Sequence, residues 1–90
     1  IVIAPSRALW FGSDEENKTA RRIHCEFVAR LKELGLKVAD IREAFEEEDD
    51  PLKNYFANDG HWSPKGHAAA ARALLRYLAA PENTVSGKPD

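Results

Sequence analysis

The 90 residues contain no methionine and only one cysteine. A complete translation product normally starts with methionine, whereas this chain starts Ile1-Val2-Ile3 inside an apolar run, so we expect a C-terminal piece or a processed product. A lone Cys25 excludes an internal disulfide and leaves the redox compartment open. It falls within a helical pattern and is expected at the core or its boundary rather than as a reactive thiol. Basic excess is also missing: 13 Lys and Arg stand against 15 Asp and Glu, for a net charge of −2. That balance gives no electrostatic grip on a nucleic-acid backbone. No apolar run approaches the roughly 20 residues of a membrane span, and Ile1–Ala4 is too short, and lacks the basic flank, for a signal peptide. There is no internal repeat.

What is present is the composition of a soluble globular domain, 43% hydrophobic and 31% charged. A chain this short buries only about 60% of its unfolded surface, so marginal stability is expected on general grounds; if the parent domain is larger, its apolar faces are expected to pack on the rest of that domain. Ile1-Val2-Ile3-Ala4, closed by Pro5, predicts a buried parallel strand. Ser6 to Gly12 is a loop carrying Trp10 and Phe11. Ser13-Asp14-Glu15-Glu16 fits a capping box with acids in the first turn. The helix behind it places Ala20, Ile23, Phe27, Leu31 and Leu34 on one stripe, and Gly35 is its natural stop. Leu36 to Ile41 predicts a second strand, giving a right-handed parallel βαβ unit. Arg42 to Glu48 suits a short helix with Ala44 and Phe45 inward. After a loop to Gly60, Ser63-Pro64 opens a last helix by N-cap and N1 signals, with Leu74, Leu75 and Leu78 on one face and Pro81 as its stop.

The chemistry concentrates in Asn58-Asp59-Gly60-His61-Trp62-Ser63-Pro64-Lys65-Gly66-His67. An imidazole two residues from a carboxylate, with a glycine between them, is the form of a general base and its orienting acid: the carboxylate holds one ring N–H and stabilises the imidazolium formed at the other nitrogen. In open α/β sheets such clefts lie beyond the C-terminal strand ends, where the order of elements puts this loop. By spacing alone, however, Asp-x-His in a loop is more often a surface pair.

The stretch Tyr55 to Leu78 resembles the last conserved block of the SGNH (GDSL-type) hydrolases: Tyr-Phe, two residues, Asp-Gly-His-Trp, a small polar residue, Pro, x, Gly-His, then an Ala/Leu-rich helix. The form it most resembles belongs to a branch of extracytoplasmic O-acyl hydrolases and transferases acting on sugars, such as alginate-acetylation proteins. The earlier Ile-Val-Ile-Ala-Pro-Ser-Arg and Val-Ala-Asp-Ile segments fit more diffusely. The resemblance implies an α/β, three-layer flavodoxin-like fold, of which residues 1–81 would be the C-terminal portion with a short parallel sheet and flanking helices. Residues 82–90 would be a polar, disordered tail.

It further implies that His61 is the catalytic base and Asp59 its acid partner. Many GDSL enzymes carry the acid three positions before the histidine, which here is Asn58; Asn58 is then a candidate for orienting the loop or contacting substrate. Trp62 is either a plug between loop and last helix or a wall of the substrate cleft, and Trp10 and Phe11 are candidates for the same cleft. The implied activity is ester hydrolysis or acyl transfer on a small-molecule or carbohydrate acyl ester, in an extracytoplasmic setting, with no cofactor and no metal. The family's Gly-Asp-Ser nucleophile block is not recognisable in the chain. Ser13 has a capping role waiting, and Ser6 is followed by no oxyanion elbow. The nucleophile is therefore expected in a missing N-terminal half that would be the chain's partner.

Other polar residues have plainer readings. His67 is expected to pack near the loop, although Asp59, His61 and His67 together suggest a possible metal site, one that would lack the ligands zinc usually requires. His24 is expected at a boundary, Asp40 as the cap of the next helix, and Glu46–Asp50 as a solvated face. Two rival classes are a non-catalytic binding module of the same fold and a free-standing interaction domain.

Overall fold

The computed structural model describes residues 1–80; the tail expected at 82–90 lies outside the described residues. Two short strands, β1 (Val2–Ile3) and β2 (Ala39–Asp40), pair in parallel with Val2 opposite Ala39 and Ile3 opposite Asp40. The connection between them is helix α1 (Asp14–Glu33), so the βαβ unit read from the sequence is present. A 3-10 turn at Arg7–Leu9 precedes α1; helix α2 (Ile41–Glu46), a 3-10 turn at Pro51–Asn54 and helix α3 (Pro64–Ala79) follow β2. The result is a mixed α/β unit around a two-stranded parallel sheet.

The helix ends are set by local chemistry. Ser13 caps α1 in a full capping box: its side chain accepts from the Glu16 N–H at 3.1 Å, and Glu16 accepts from the Ser13 N–H at 2.9 Å. At the other end the Gly35 N–H donates to Lys32 O and the Leu36 N–H to Leu31 O, the double bond pattern that needs a left-handed residue; Gly35 supplies it with φ +83°. Asp40 caps α2 through the Arg42 N–H, as expected. Ser63 caps α3 with Pro64 in its first turn.

The core is aromatic. Phe45 and Ile41 of α2 are almost completely buried, with Tyr55, Ala69 and Ala70 around them and Trp10, Trp62, Ala73 and Leu74 packed against the cluster. Phe45 meets Tyr55 edge-on at 5.8 Å and Trp62 at 5.6 Å, and Trp10 lies 6.1 Å from both Phe45 and Tyr55. Such pairs contribute about 0.5–1.5 kcal/mol each beyond the area they bury. This cluster holds α2, α3 and the loop between them as one body.

Several expectations about packing are corrected. The α1 stripe does not face a core: Ile23, Phe27 and Leu34 are exposed, and Val28 is the buried residue of the helix. The reason is dimensional. A helix of 20 residues spans about 30 Å, far more than strands of two residues can cover. Val2 is likewise half exposed rather than buried, because β1 pairs on one side only among the described residues. On α3 the inward face is Gly66, Ala69 and Ala70, while Leu75 and Leu78 are exposed; small residues let α3 approach α2 and the 3-10 turn closely. Cys25 is exposed.

The acidic run is not a merely solvated face either. Glu46 accepts from Trp10 Nε1 (3.0 Å) and Arg21 (2.5 Å) and pairs with Arg42 (2.7 Å), joining α1, α2 and the segment after β1. Burial pushes its carboxyl up, but the bonds from Arg21 and Trp10 and the nearby Arg21 and Arg42 charges outweigh burial and hold it below the usual range. Glu48 pairs with Lys65 and Arg72 of α3. His24 is more than a boundary residue: its Nε2 lies 2.8 Å from Asp40 Oδ1, and Arg42 Nε bonds the other carboxylate oxygen at 3.3 Å.

Candidate acid–base site

The loop from Tyr55 to Trp62 is closed at its base. Tyr55 and Trp62 form an antiparallel bridge, the Phe56 N–H donates to His61 O at 3.1 Å, and the Ser63 N–H donates to Asn54 O at 2.8 Å. Tyr55 adds an anchor to the sheet: its hydroxyl donates to Pro5 O, just past β1, at 2.8 Å. Burial pushes this phenol up to about 12. Gly66, at the start of α3, sits so close to Asn54 that a Cβ there would lie 2.1 Å from Asn54 O. The loop base is thus clamped between β1, the 3-10 turn and α3.

The tip carries the pair. Asp59 Oδ1 accepts the His61 backbone N–H at 2.8 Å, an Asx turn that curls the chain through Gly60. The same oxygen lies 2.5 Å from His61 Nδ1. The backbone bond from His61 first, and its imidazole second, hold the Asp59 carboxyl below its ordinary value. An ionised Asp59 accepts the Nδ1 proton, which leaves Nε2 of the neutral ring as the acceptor. Among the described residues nothing bonds Nε2, and the His61 side chain is 87% exposed. The arrangement can take a proton at Nε2 and stabilise the resulting cation through Asp59.

The remaining residues singled out in the sequence divide plainly. Asn58 is exposed at the tip and is not brought to the imidazole by any hydrogen bond among the described residues; Asp59 occupies that role. Trp62 is partly buried against Phe45 and stands edge-on to His67 at 5.5 Å, which is the plug arrangement. Among the described residues no group of three or more His, Cys, Asp or Glu could hold a metal ion, so His67 does not complete a site with Asp59 and His61. Both serines in the chain's first segment act as caps, Ser6 toward the Ala8 N–H and Ser13 toward the Glu16 N–H. Beside the loop an open depression of about 530 Å³ is lined by Ser6, Arg7, Ala8, Phe11, Gly12, Glu16 and Gly60. Phe11 therefore faces the region of the loop, whereas Trp10 belongs to the core. Arg7, Gly66 and the Tyr55 hydroxyl carry no assigned role in the sequence reading; Tyr55 and Gly66 stand there only as letters of the Tyr-Phe and Gly-His motifs, and Arg7 only at the end of the Ile-Val-Ile-Ala-Pro-Ser-Arg segment.

Residues 6–89 match the family described as SGNH hydrolase-like domain, acetyltransferase AlgX. The chain belongs to this family. No curated protein and no solved structure matches it. The match to the AlgX-type SGNH hydrolase-like domain includes the whole of the Tyr55–Trp62 loop and ties the chain, at the family level, to acyl-ester chemistry.

Proposed function

We propose that this chain supplies the base and its orienting acid to an enzyme that transfers or hydrolyses O-acyl groups, with an O-acetylated carbohydrate as the substrate class. A serine outside residues 1–80 attacks the acyl carbonyl while His61 Nε2 takes its proton. Asp59 keeps the Nδ1 proton in place and balances the charge on the ring. The leaving alcohol departs with the proton returned by His61, and the acyl-enzyme passes its acyl group to water or to an acceptor hydroxyl. The observation that carries this reading is the Asp59 carboxylate bonded to both the backbone and the ring of His61, with Nε2 unbonded among the described residues.

The same reading places the small sheet within a wider three-layer α/β domain. The exposed α1 stripe and the half-exposed β1 support it, since both offer apolar surface of the kind another strand would cover. His61 is also too exposed here to exclude water, so the covering part would complete the cleft as well as bring the nucleophile.

The test uses the intact protein. A fluorophosphonate probe is expected to label one serine, located by peptide mass spectrometry, and His61→Ala is expected to lower labelling and the turnover of an acetyl ester by about 10²–10⁴-fold. Full labelling and turnover in the variant would remove His61 from the chemistry; no labelling at all would favour a binding module.

A further inference from the structure

We propose that Arg7 is a positioning residue for the acid–base pair, tying the tip of the Tyr55–Trp62 loop to the end of β1. This rests on the reading of Asp59 and His61 given above. Arg7 opens the 3-10 turn that follows β1. Its guanidinium lies over the Phe11 ring, 4.1 Å from the centroid, and its Nη1 donates to Ala57 O at 3.4 Å.

The location of that bond is what gives it weight. The base of the loop is held many times over, by the Tyr55–Trp62 bridge, the Tyr55 hydroxyl on Pro5 and the Ser63 N–H on Asn54. At the tip, residues 57–60, the other bonds come from within the loop, from the Asp59 N–H to Phe56 O and between Asp59 and His61. Among the described residues the Arg7 bond is the one that reaches the tip from outside. A planar cation lying on an aromatic face has little freedom left, so Phe11 fixes the direction in which Arg7 donates. Glu16, the carboxylate that shares the depression with Arg7, is committed to the Ser13 amide and hydroxyl and does not compete for the guanidinium.

The guanidinium also adds a minor charge effect at the tip, after the bonds and charge of His61. Its positive charge adds to the bonds from His61 in keeping Asp59 ionised. An ionised Asp59 is the form that holds the Nδ1 proton. Arg7 thereby acts on the reacting nitrogen at one remove, through loop position and through the charge of the acid.

The experiment compares Arg7→Gln, Arg7→Lys and His61→Gln in the intact protein, measuring ester turnover and the carboxyl titration of Asp59 by carbon NMR. A small misplacement of a base is costly, so Arg7→Gln is expected to lower kcat roughly tenfold with little change in KM, and to raise the Asp59 titration midpoint. Arg7→Lys, which keeps the charge but not the planar stack, is expected to restore the midpoint and part of kcat. Unchanged kcat and midpoint in Arg7→Gln overturn the proposal. A raised KM at unchanged kcat also overturns it, by making Arg7 a substrate contact. Equal loss in Gln and Lys variants with an unmoved midpoint overturns it in favour of a purely structural role. Full turnover in His61→Gln would sink the acid–base reading instead, and the Asp59 midpoint in Arg7→Gln would still decide whether Arg7 governs the tip.

Discussion

Gly66→Ala should destabilise the protein, against the usual preference of a helix. In an exposed helix interior alanine is better than glycine by about 1 kcal/mol, and Gly66 lies in the first turn of α3. The added Cβ would stand 2.1 Å from Asn54 O and 3.0 Å from Asn54 C, where real Cβ atoms essentially never approach within 3.0 Å. The two nearest atoms are backbone and the third is the Asn54 Cβ, so no side-chain rotation relieves the clash. Relief needs a separation of about 0.9 Å (3.0 − 2.1) between the start of α3 and the 3-10 turn. The bond from the Ser63 N–H to the same carbonyl, now 2.8 Å, would be stretched beyond useful length. Overpacking costs about 1–3 kcal/mol and the lost bond about 1. Set against the helical gain, a net loss of about 1–3 kcal/mol is expected. Chemical denaturation of the intact protein measures it, with the midpoint falling at constant slope. Gly60→Ala is the control, because nothing lies within 4 Å of its added carbon. If Gly66→Ala proved as stable as the parent, the close approach and everything inferred from the clamp would be wrong.

Four further outcomes follow from other contacts of the fold. Of the two tyrosines, Tyr55 should titrate at about 12 in an ultraviolet difference spectrum; because its folded value is raised above the unfolded one, its contribution is whole below pH ~10 and is lost as pH climbs through the folded value. Tyr55→Phe should cost about 1–2 kcal/mol in the same denaturation assay, since it orphans the Pro5 carbonyl. The Asp59 carboxyl, held down by the His61 backbone N–H and then its imidazole, should titrate below its ordinary value, so its pairing with His61 is kept above that value and lost only as pH falls through the lower folded one; a carbon NMR midpoint at or above the ordinary value would contradict the pairing. Glu46→Gln keeps an acceptor for Trp10 but removes the charge facing Arg21 and Arg42. Its pairs are partly exposed, so a loss of about 1–2 kcal/mol that shrinks at high salt is expected.

Helix ends are legible in the sequence because local physics decides them. Ser13, Asp40, Ser63-Pro64 and Gly35 each act within three or four residues of themselves, and each stands at the helix end expected of it. The pairing of Asp59 with His61 is also local, an Asx turn across one glycine. Burial was harder to foresee, because it depends on what the elements meet. The Ile23, Phe27 and Leu34 stripe has the period of a core face, but the sheet beneath it is two strands wide. Of the expected Leu74, Leu75 and Leu78 face only Leu74 packs against the core; the close contact on α3 is made by Gly66, Ala69 and Ala70, whose small size allows the close approach. Glu46 read as one of five acids; its three partners lie in three different segments, a convergence no spacing could reveal. Arg7 was hidden for the same reason, its bond to Ala57 crossing 50 positions.

The Tyr55–Trp62 loop keeps most of its holding contacts at the feet, and the Asp59–His61 pair at the tip, which Arg7 alone reaches from outside among the described residues. That separation makes it a cassette. Residues 57–60 take no part in the cluster of Phe45, Tyr55 and Trp62, so exchanging or re-spacing them is expected to leave that aromatic core intact. On the proposed reading, a shift of the acid by one position along the tip is then expected to cost the fold little, because the scaffold that carries the loop is held elsewhere.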